Sequence, residues 1–375
     1  MNATLPPAPP AREEAQAILT INLGALVDNW RALSRRCGAA ECAAVVKADA
    51  YGIGLEPAVQ ALSQAGCRTF FVAHVSEARL TRAALGAGAA RIYVLNGLLA
   101  NADVAHSLIA ADATPVIGSL EEWSAWRSFA PGRPCALHID TGMNRLGASA
   151  DEARMIAADA GAGAIELVMS HFVASEESHN ALNATQIDAF NNMRGLFANA
   201  RASIANSSGI MLAANPHYDL VRPGYALYGG NPSPGSPNPM KPVVKLEATI
   251  LRVRPIKAGE TVGYNATWTA QRDSVLAAIG VGYADGLLRS ASGANGARGG
   301  EAIIGGVRCP FAGRVSMDII VIDATDAPAD ALGPGATAQL LGDNITIDDL
   351  ADRAGTIGYE ILTSLGHRYH RVYAR

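Results

Sequence analysis

The sequence predicts an α/β protein in which an N-terminal (β/α)8 TIM-type barrel, residues 15–235, is followed by a mostly β C-terminal domain, residues 241–375. Three observations carry this. Between Ala17 and Asn231 short apolar runs alternate with amphipathic stretches in about eight units. A turn-rich segment, Asn231-Pro-Ser-Pro-Gly-Ser-Pro-Asn-Pro239, then breaks the pattern. Beyond it, apolar runs separated by Gly and Pro follow one another with few helical periods between them. Alternation of the first kind calls for a parallel sheet with helical crossovers, and the number of units favours closure into a barrel over an open doubly wound sheet.

In chain order, residues 1–14 read as a disordered tail, with prolines at 6, 7, 9 and 10 and no apolar segment of signal-peptide type. Ile18–Ile21 reads as the first barrel strand and leads into a helical pattern through Leu23, Leu26, Trp30 and Leu33. Ala43–Val46 precedes a helix over Pro57–Ala65, and Thr69–Ala73 precedes Ser76–Leu85. Arg91–Leu95 precedes Ala100–Ala110, Thr114–Ile117 precedes Ser119–Phe129, and Cys135–Asp140 precedes Ser149–Ala160. Ala164–Ser170 precedes a long helix, Ala184–Ala200. Ala202–Ala205 then leads into a short helix, and Tyr218–Val221 completes the series. In the second domain strands are expected at Val243–Val253, Ser274–Val281, Ala302–Arg308, Asp318–Ile322 and Ala338–Leu341, with helices only at Ile347–Ala354 and Tyr359–Leu365.

At 375 residues and 49% apolar side chains, the chain can bury a sizeable core, and its length suits about two domains. Charged residues make up 17% and the net charge is −4, which argues against a dedicated nucleic-acid binder. No apolar run reaches the roughly 18 residues of a membrane-crossing helix. The five cysteines (Cys37, Cys42, Cys67, Cys135, Cys309) are an odd number without metal-type spacing, and read as reduced thiols of a cytoplasmic protein. Of 30 basic residues only four are lysines (Lys47, Lys241, Lys245, Lys257), so 26 are arginines; Lys47 is the only lysine among the first 240 residues.

Barrel enzymes place their sites at the C-terminal ends of the strands, so the residues just after each apolar run are the candidates. Ala44-Val45-Val46 is followed directly by Lys47. A lysine there is costly to bury unless neutralised, and a Schiff base with a carbonyl cofactor neutralises it; a side chain reaching out to solvent is the other reading. Arg145, in the segment after His138-Ile139-Asp140, suits a carboxylate or phenolate, or is a surface arginine. His171 closes another strand and suits acid–base work, stacking on an aromatic ligand, or a satisfied barrel-end position. Asn206-Ser207-Ser208-Gly209 looks like a helix start, which is either an anion site or an ordinary N-cap. Arg222-Pro223-Gly224-Tyr225 follows the next apolar run, and Gly224 lets backbone approach a ligand closely. These last two segments lie where barrels commonly hold a phosphate. One lysine, a phosphate-type site and several arginines at barrel ends together suggest pyridoxal 5′-phosphate, held in a cleft between the two domains.

The segments resemble the alanine racemases, the barrel-type (fold type III) pyridoxal-phosphate family, from about Ile18 to the C-terminus. AVVKADAYG at 44–52 resembles the cofactor-lysine signature. DTGMNRLG at 140–147, SHF at 170–172, ANSSG at 205–209, VRPGYALYG at 221–229, GYNATW at 263–268, GYADG at 282–286 and SMD at 316–318 occur in family order. The resemblance implies an enzyme that interconverts L-alanine and D-alanine, for peptidoglycan supply or alanine catabolism, in a homodimer with composite sites. Lys47 would anchor the cofactor and act as one base. Tyr264, from the other subunit, would be the opposite one. Arg222 would face the pyridine nitrogen; Tyr51, Ser207, Gly224, Tyr225 and Tyr359 would hold the phosphate; His171 would support the ring. Arg145 would contact the cofactor phenolate and the substrate carboxylate, Met317 would bind that carboxylate through its N–H, and Tyr283 and Asp318 would line the substrate entrance.

Two positions depart from the family pattern. Many members have a lysine, modified to a carbamate that orients the arginine, two residues before the DTGM aspartate; this chain has His138, so either His138 itself or an anion orients Arg145. AYG also continues as Ile53-Gly54 instead of His-Gly. Other readings are a broad-specificity amino-acid racemase, whose known forms tend to be exported, and a non-catalytic pyridoxal-phosphate carrier, which lacks the β domain with its GYNATW-type tyrosine. A decarboxylase of the same fold brings a cysteine-centred motif that Cys309-Pro310 does not resemble.

Overall fold

A computed structural model describes residues 10–86, 90–99, 101–333 and 335–375. The chain divides into two compact units. One holds the described residues up to Ala25 together with Pro242–Arg375; the other is Leu26–Lys241.

Strand β1 (Ala17–Asn22) does not open the barrel. It pairs antiparallel with residues 244–248 and parallel with residues 370–374, inside the sheet of the C-terminal unit. The reason is visible along the strand: Ala17, Leu19 and Ile21 are buried while Ile18 and Thr20 are half-exposed. Such alternation marks a strand covered on one face, whereas barrel strands are covered on both. The tail also departs in part from expectation. Residues 1–9 lie outside those described, but Glu14 and Ala15 donate N–H bonds to the Ala11 carbonyl, and Nδ1 of His370 lies 3.0 Å from the Pro10 carbonyl oxygen.

The barrel is built from β2 (Glu41–Cys42) continued by β3 (Ala44–Val45), then β4 (Thr69–Val72), β5 (Arg91–Val94), β6 (Thr114–Ile117), β7 (Cys135–His138), β8 (Ile165–Met169), β9 (Arg201–Ser203) and β10 (Leu220–Val221). Strands β3 to β9 pair in parallel in chain order. β10 closes the ring by pairing in parallel with β2, while the N–H groups of Asp219 and Arg222 donate to the carbonyls of Ala202 and Ala205. Burial on both faces explains the unbroken apolar runs: Phe70, Phe71 and Val72 are all fully buried.

The helices are α1 (Leu23–Arg36), the left-handed turn α2 (Lys47–Tyr51), α3 (Leu55–Ala65), α4 (Val75–Leu85), α5 (Ala102–Ala110), α6 (Leu120–Phe129), α7 (Ala150–Ala158) and α8 (Ala181–Arg194). Polar caps set several starts: Ser119 Oγ accepts from Glu122 N–H, and Ser149 and Glu152 form a capping box. Helix α8 begins three residues before the expected Ala184 because the Asn180 side chain accepts from Leu182 N–H. It ends at Arg194 and passes into a short 3-10 turn, Gly195–Phe197.

The C-terminal unit holds β11 (Val244–Ile256), β12 (Thr261–Val262), β13 (Trp268–Thr269), β14 (Ser274–Ile279), β15 (Glu301–Ile304), β16 (Val307–Pro310), β17 (Ile320–Asp323), β18 (Thr337–Leu341) and β19 (His370–Ala374), with α9 (Ile347–Ala354) and α10 (Gly358–Ser364). Its main sheet runs β16-β15-β18-β11-β1-β19; the long β11 also pairs with β14, which pairs with β17. The single strand expected over Ala302–Arg308 is a hairpin. Gly305 and Gly306 both take positive φ (56° and 83°), the geometry of a tight turn that only glycines enter cheaply. All five cysteines are free and buried. Among the described residues no helix is long and apolar enough to cross a membrane.

Candidate active site

Lys47 begins directly beyond β3, at the C-terminal mouth of the barrel. The next four residues, Ala48, Asp49, Ala50 and Tyr51, have φ between 52° and 55°, a left-handed turn without a glycine. Each such residue costs about 1–2 kcal/mol, so the surroundings must hold the turn in place. They do so through hydrogen bonds. Glu77, on α4, accepts from Ala48 N–H at 2.6 Å with one carboxylate oxygen, and from Ala73 and His74 N–H at 2.8 and 3.0 Å with the other. Asp49 accepts from Leu55 N–H at 2.7 Å. Tyr228 donates to the Val45 carbonyl at 2.8 Å and stacks on Tyr51 with ring centroids 4.5 Å apart. The Lys47 ammonium is half-buried. Burial and then the Arg145 guanidinium lower its pKa from the ordinary lysine value, and Glu77 opposes them.

Arg145 sits in the loop after β7, with its side chain exposed, and that loop is organised by Asp140. One Asp140 oxygen accepts from Gly142 and Met143 N–H, the other from Asn144 N–H, all at 2.8 Å. The loop returns to the barrel through Ala148, whose N–H donates to the His138 carbonyl at 2.8 Å. Gly147 lies against the His138 ring with φ of 108°; a Cβ there would come within 3.1 Å of the imidazole. Burial, then the Arg222 charge, push the His138 imidazole down to about 4. His171, just beyond β8, is pushed to about 3 by burial and then by Arg222, Arg145, His138 and Lys47. Both rings are therefore neutral at pH 7.

Arg222 is 4% exposed. Its guanidinium donates to Ser203 Oγ and, at 2.6 Å, to the Ser170 carbonyl, and lies 5.8 Å from the centre of the Phe71 ring. Among the described residues it has no carboxylate partner. Burial lowers its pKa to about 9, so it remains a cation at neutral pH. A buried cation with neutral neighbours is a ready partner for an acceptor atom or anion.

Ser207 and Gly224 form a small cradle beside it. Ser207 Oγ accepts from the N–H groups of Gly224 at 3.1 Å and Ala226 at 3.2 Å, which leaves its proton to donate outward. The segment does not open an α-helix as expected. Only a 3-10 turn, Gly209–Met211, follows it, so hydroxyl and backbone groups, not a helix dipole, make the cradle. A Cβ on Gly224 would come within 2.3 Å of the Tyr51 hydroxyl, so Gly224 is what admits Tyr51. Tyr225 is also buried, and its ring fills the place a Cβ on Gly230 would occupy. Gly224→Ala is expected to displace Tyr51 and weaken binding of a phosphate-bearing cofactor about tenfold or more, read by equilibrium dialysis.

The remaining candidates lie in the C-terminal unit. Tyr264 follows Gly263 in a short 3-10 turn and is 70% exposed. A Cβ on Gly263 would lie 3.5 Å from Arg314 N, so this turn sits close to the irregular segment leading to Ser316. Tyr283 (41% exposed) and Met317 (54% exposed) meet through backbone: Tyr283 and Ala284 N–H donate to the Ser316 and Met317 carbonyls, both at 3.0 Å. Arg368 joins the same two turns by pairing with Asp285 at 3.1 Å and Asp318 at 2.9 Å. Tyr359, half-buried, stands in the first turn of α10. The barrel thus gathers Lys47, Tyr51, Arg145, His171, Ser207, Arg222, Gly224 and Tyr225 at its mouth. Tyr264, Tyr283, Met317 and Asp318 form a second group, on neighbouring turns of the other unit. Glu77 and Gln186 stand in none of the sequence motifs, and Asp140 and Tyr228 stand inside DTGMNRLG and VRPGYALYG without a role that the motifs assign. Of these only Asp140 carried a local signal, the Asp-Thr-Gly turn whose carboxylate bonds its own downstream backbone.

Comparisons with known proteins bear on this arrangement. The family model for "Alanine racemase, N-terminal domain" matches residues 21–232, and that for "Alanine racemase, C-terminal domain" matches residues 243–373. An alanine racemase of Methylobacterium nodulans is 52% identical over 363 residues, 95% of this chain and 96% of that one. A crystal structure of alanine racemase from Bartonella henselae, with covalently bound pyridoxal phosphate, superposes with a TM-score of 0.88 at 37% identity, covering 96% of this chain and 99% of that one. The biosynthetic alanine racemase of Pseudomonas aeruginosa gives a TM-score of 0.86 at 32% identity, over 96% and 100% of the two chains. Matched in both domains, in order and over nearly its whole length, the chain belongs to the alanine racemase family.

Proposed function

We propose that this protein is a pyridoxal-phosphate-dependent alanine racemase that interconverts L-alanine and D-alanine with two bases. The observation that carries the reading is the meeting, at one barrel mouth, of a lysine with lowered pKa, a carboxylate-free buried arginine and the Ser207–Gly224 cradle. These residues suit the cofactor's three polar features. Lys47 would bond its carbonyl carbon; Ser207, Gly224, Tyr51, Tyr225 and Tyr359 would hold its phosphate; Arg222 would donate to its ring nitrogen, with His171 supporting the ring. When bound, the cofactor supplies the electron sink that makes the substrate α-hydrogen acidic.

The chain's own residues would do the rest. Racemisation takes a proton from one face of the α-carbon and returns one to the other, and a single base would return it to its own side. Lys47 Nζ would hold the proton on one face, and the hydroxyl of Tyr264 of the partner subunit on the other. The exposure of Tyr264 on its own chain suits that assignment. Arg145, together with the N–H of Met317 of the partner subunit, would hold the substrate carboxylate. Tyr283 and Asp318 would line the entrance. An arginine at the ring nitrogen cannot release its own proton at neutral pH, so the nitrogen would stay unprotonated and side reactions such as transamination would be limited. A homodimer in the cytoplasm is part of this proposal, as is a role either in D-alanine supply for peptidoglycan or in alanine catabolism.

The test is an assay of the purified protein with added cofactor over a panel of L-amino acids, with chiral detection of product. Alanine is expected to turn over fastest, about tenfold or more above larger side chains. Comparable rates on basic amino acids would instead make it a broad-specificity racemase. Absence of turnover on every amino acid would leave a cofactor carrier.

A further inference from the structure

We infer that Gln186, on helix α8, is a positioning residue for the substrate-carboxylate arm of the site. The inference rests on the reading of Arg145 given above. Gln186 is 2% exposed, and its amide is fully employed. Nε2 donates to Thr141 Oγ1 at 3.1 Å and to the His171 carbonyl at 2.9 Å; Oε1 accepts from Val173 N–H at 2.8 Å. Two donors and one acceptor on a single planar group are what glutamine supplies, and neither glutamate nor methionine can replace both donors.

The groups it joins belong to two different loops. Thr141 begins the loop, braced on Asp140, that carries Arg145; its hydroxyl also meets Ser170 Oγ at 2.7 Å. His171 and Val173 follow β8, and the Ser170 carbonyl receives the Arg222 guanidinium. One buried amide therefore joins the Arg145 loop to the His171 segment, beside the direct Thr141–Ser170 contact. Asp140 gives the Arg145 loop its internal shape, but it bonds only within that loop; Gln186 ties the loop to its neighbour. Loss of the amide takes one partner from the part-buried Thr141 hydroxyl, the His171 carbonyl's donor and the Val173 N–H's acceptor, and the loop and the segment relax apart. The Arg145 guanidinium, at the exposed end of its loop, then meets the carboxylate less well in the ground state and the transition state alike. Such a loss raises KM and leaves kcat nearly untouched.

The experiment compares steady-state kinetics of wild type, Gln186→Met, Thr141→Val, the double variant and Arg145→Met, all as cofactor-loaded enzyme. Gln186→Met is expected to raise the KM for both alanine enantiomers about tenfold, with kcat within about threefold of wild type. Cofactor affinity should fall by a smaller factor than KM rises, because Gln186 reaches the cofactor residues only through the His171 carbonyl and touches neither the Lys47 turn nor the Ser207–Gly224 cradle. Thr141→Val is expected to raise KM in the same way. The double variant should raise KM by less than the product of the two single effects, since both substitutions cut the Gln186–Thr141 tie and Thr141→Val cuts the Thr141–Ser170 contact besides. Should Gln186→Met not fold, Gln186→Glu takes its place, since it keeps the length and the acceptor for Val173 N–H but loses both donors. An unchanged KM in Thr141→Val or in folded Gln186→Met, beside a raised KM in Arg145→Met, overturns the role of Gln186 and leaves that of Arg145 standing. An unchanged KM in Arg145→Met overturns both. A fall in kcat at constant KM in Gln186→Met also overturns the inference, since it assigns Gln186 to another step.

Discussion

Lys47→Ala is expected to remove the visible absorbance of lysine-bound cofactor after dialysis and to lower racemisation about 10⁴-fold or more, since it deletes both the anchor and a base. Lys47→Arg should do the same, because arginine stays charged and cannot bond a carbonyl carbon. Colour retained after dialysis of either variant would sink the assignment. The wild-type apoprotein offers a finer test through pH. Only the neutral amine bonds the carbonyl, and burial and Arg145 lower the Lys47 pKa. Cofactor capture should therefore rise with pH and level off below the ordinary lysine range. Arg145→Met removes a cation that disfavours the ammonium form, so the midpoint of that rise should move to higher pH. A midpoint that stays where it was would mean that Arg145 does not act on Lys47.

Mixing Lys47→Ala with Tyr264→Ala subunits should restore activity that neither has alone. Each heterodimer has one site with both residues intact and one with both missing. Random pairing of equal amounts then returns about one quarter of the wild-type rate. Verified heterodimers without activity would show that Lys47 and Tyr264 do not act across subunits. Tyr264→Phe refines the test: if the tyrosine serves the L face, exchange of the L-alanine α-hydrogen should slow by about 10²-fold or more, and that of D-alanine by less. Equal slowing would contradict that face assignment.

Much of the barrel and its mouth was legible because chain order and strand order coincide there. β3 to β9 pair in sequence, so a residue that follows an apolar run stands at the mouth wherever its strand falls in the ring. Lys47, His171 and Arg222 could be picked out in this way. β1 could not, because its apolar residues suit a barrel strand and a covered sheet equally; its partners at 244–248 and 370–374 lie at the other end of the chain. Ser207 was found as a candidate for an anion, but by the wrong means. A short 3-10 turn stands where a helix was expected, and the hydroxyl works through backbone groups 17 and 19 residues away.

Scarcity of lysine was the plainest feature of the composition, with Lys47 alone among the first 240 residues, and the local run of apolar residues before it put it at a strand end. Chain order alone was enough for that, for the two-part architecture and for the motifs by which the family is known, since each depends on neighbours in sequence. Folding had to supply the rest. Glu77 holds the Lys47 turn from 29 residues away, Tyr228 reaches Val45 across 183, and Gln186 reaches Thr141 across 45. Their side chains look ordinary in a one-dimensional reading. Only in the packed barrel do their donors and acceptors meet, where leaving them unpaired and buried would cost about as much as the bonds they make.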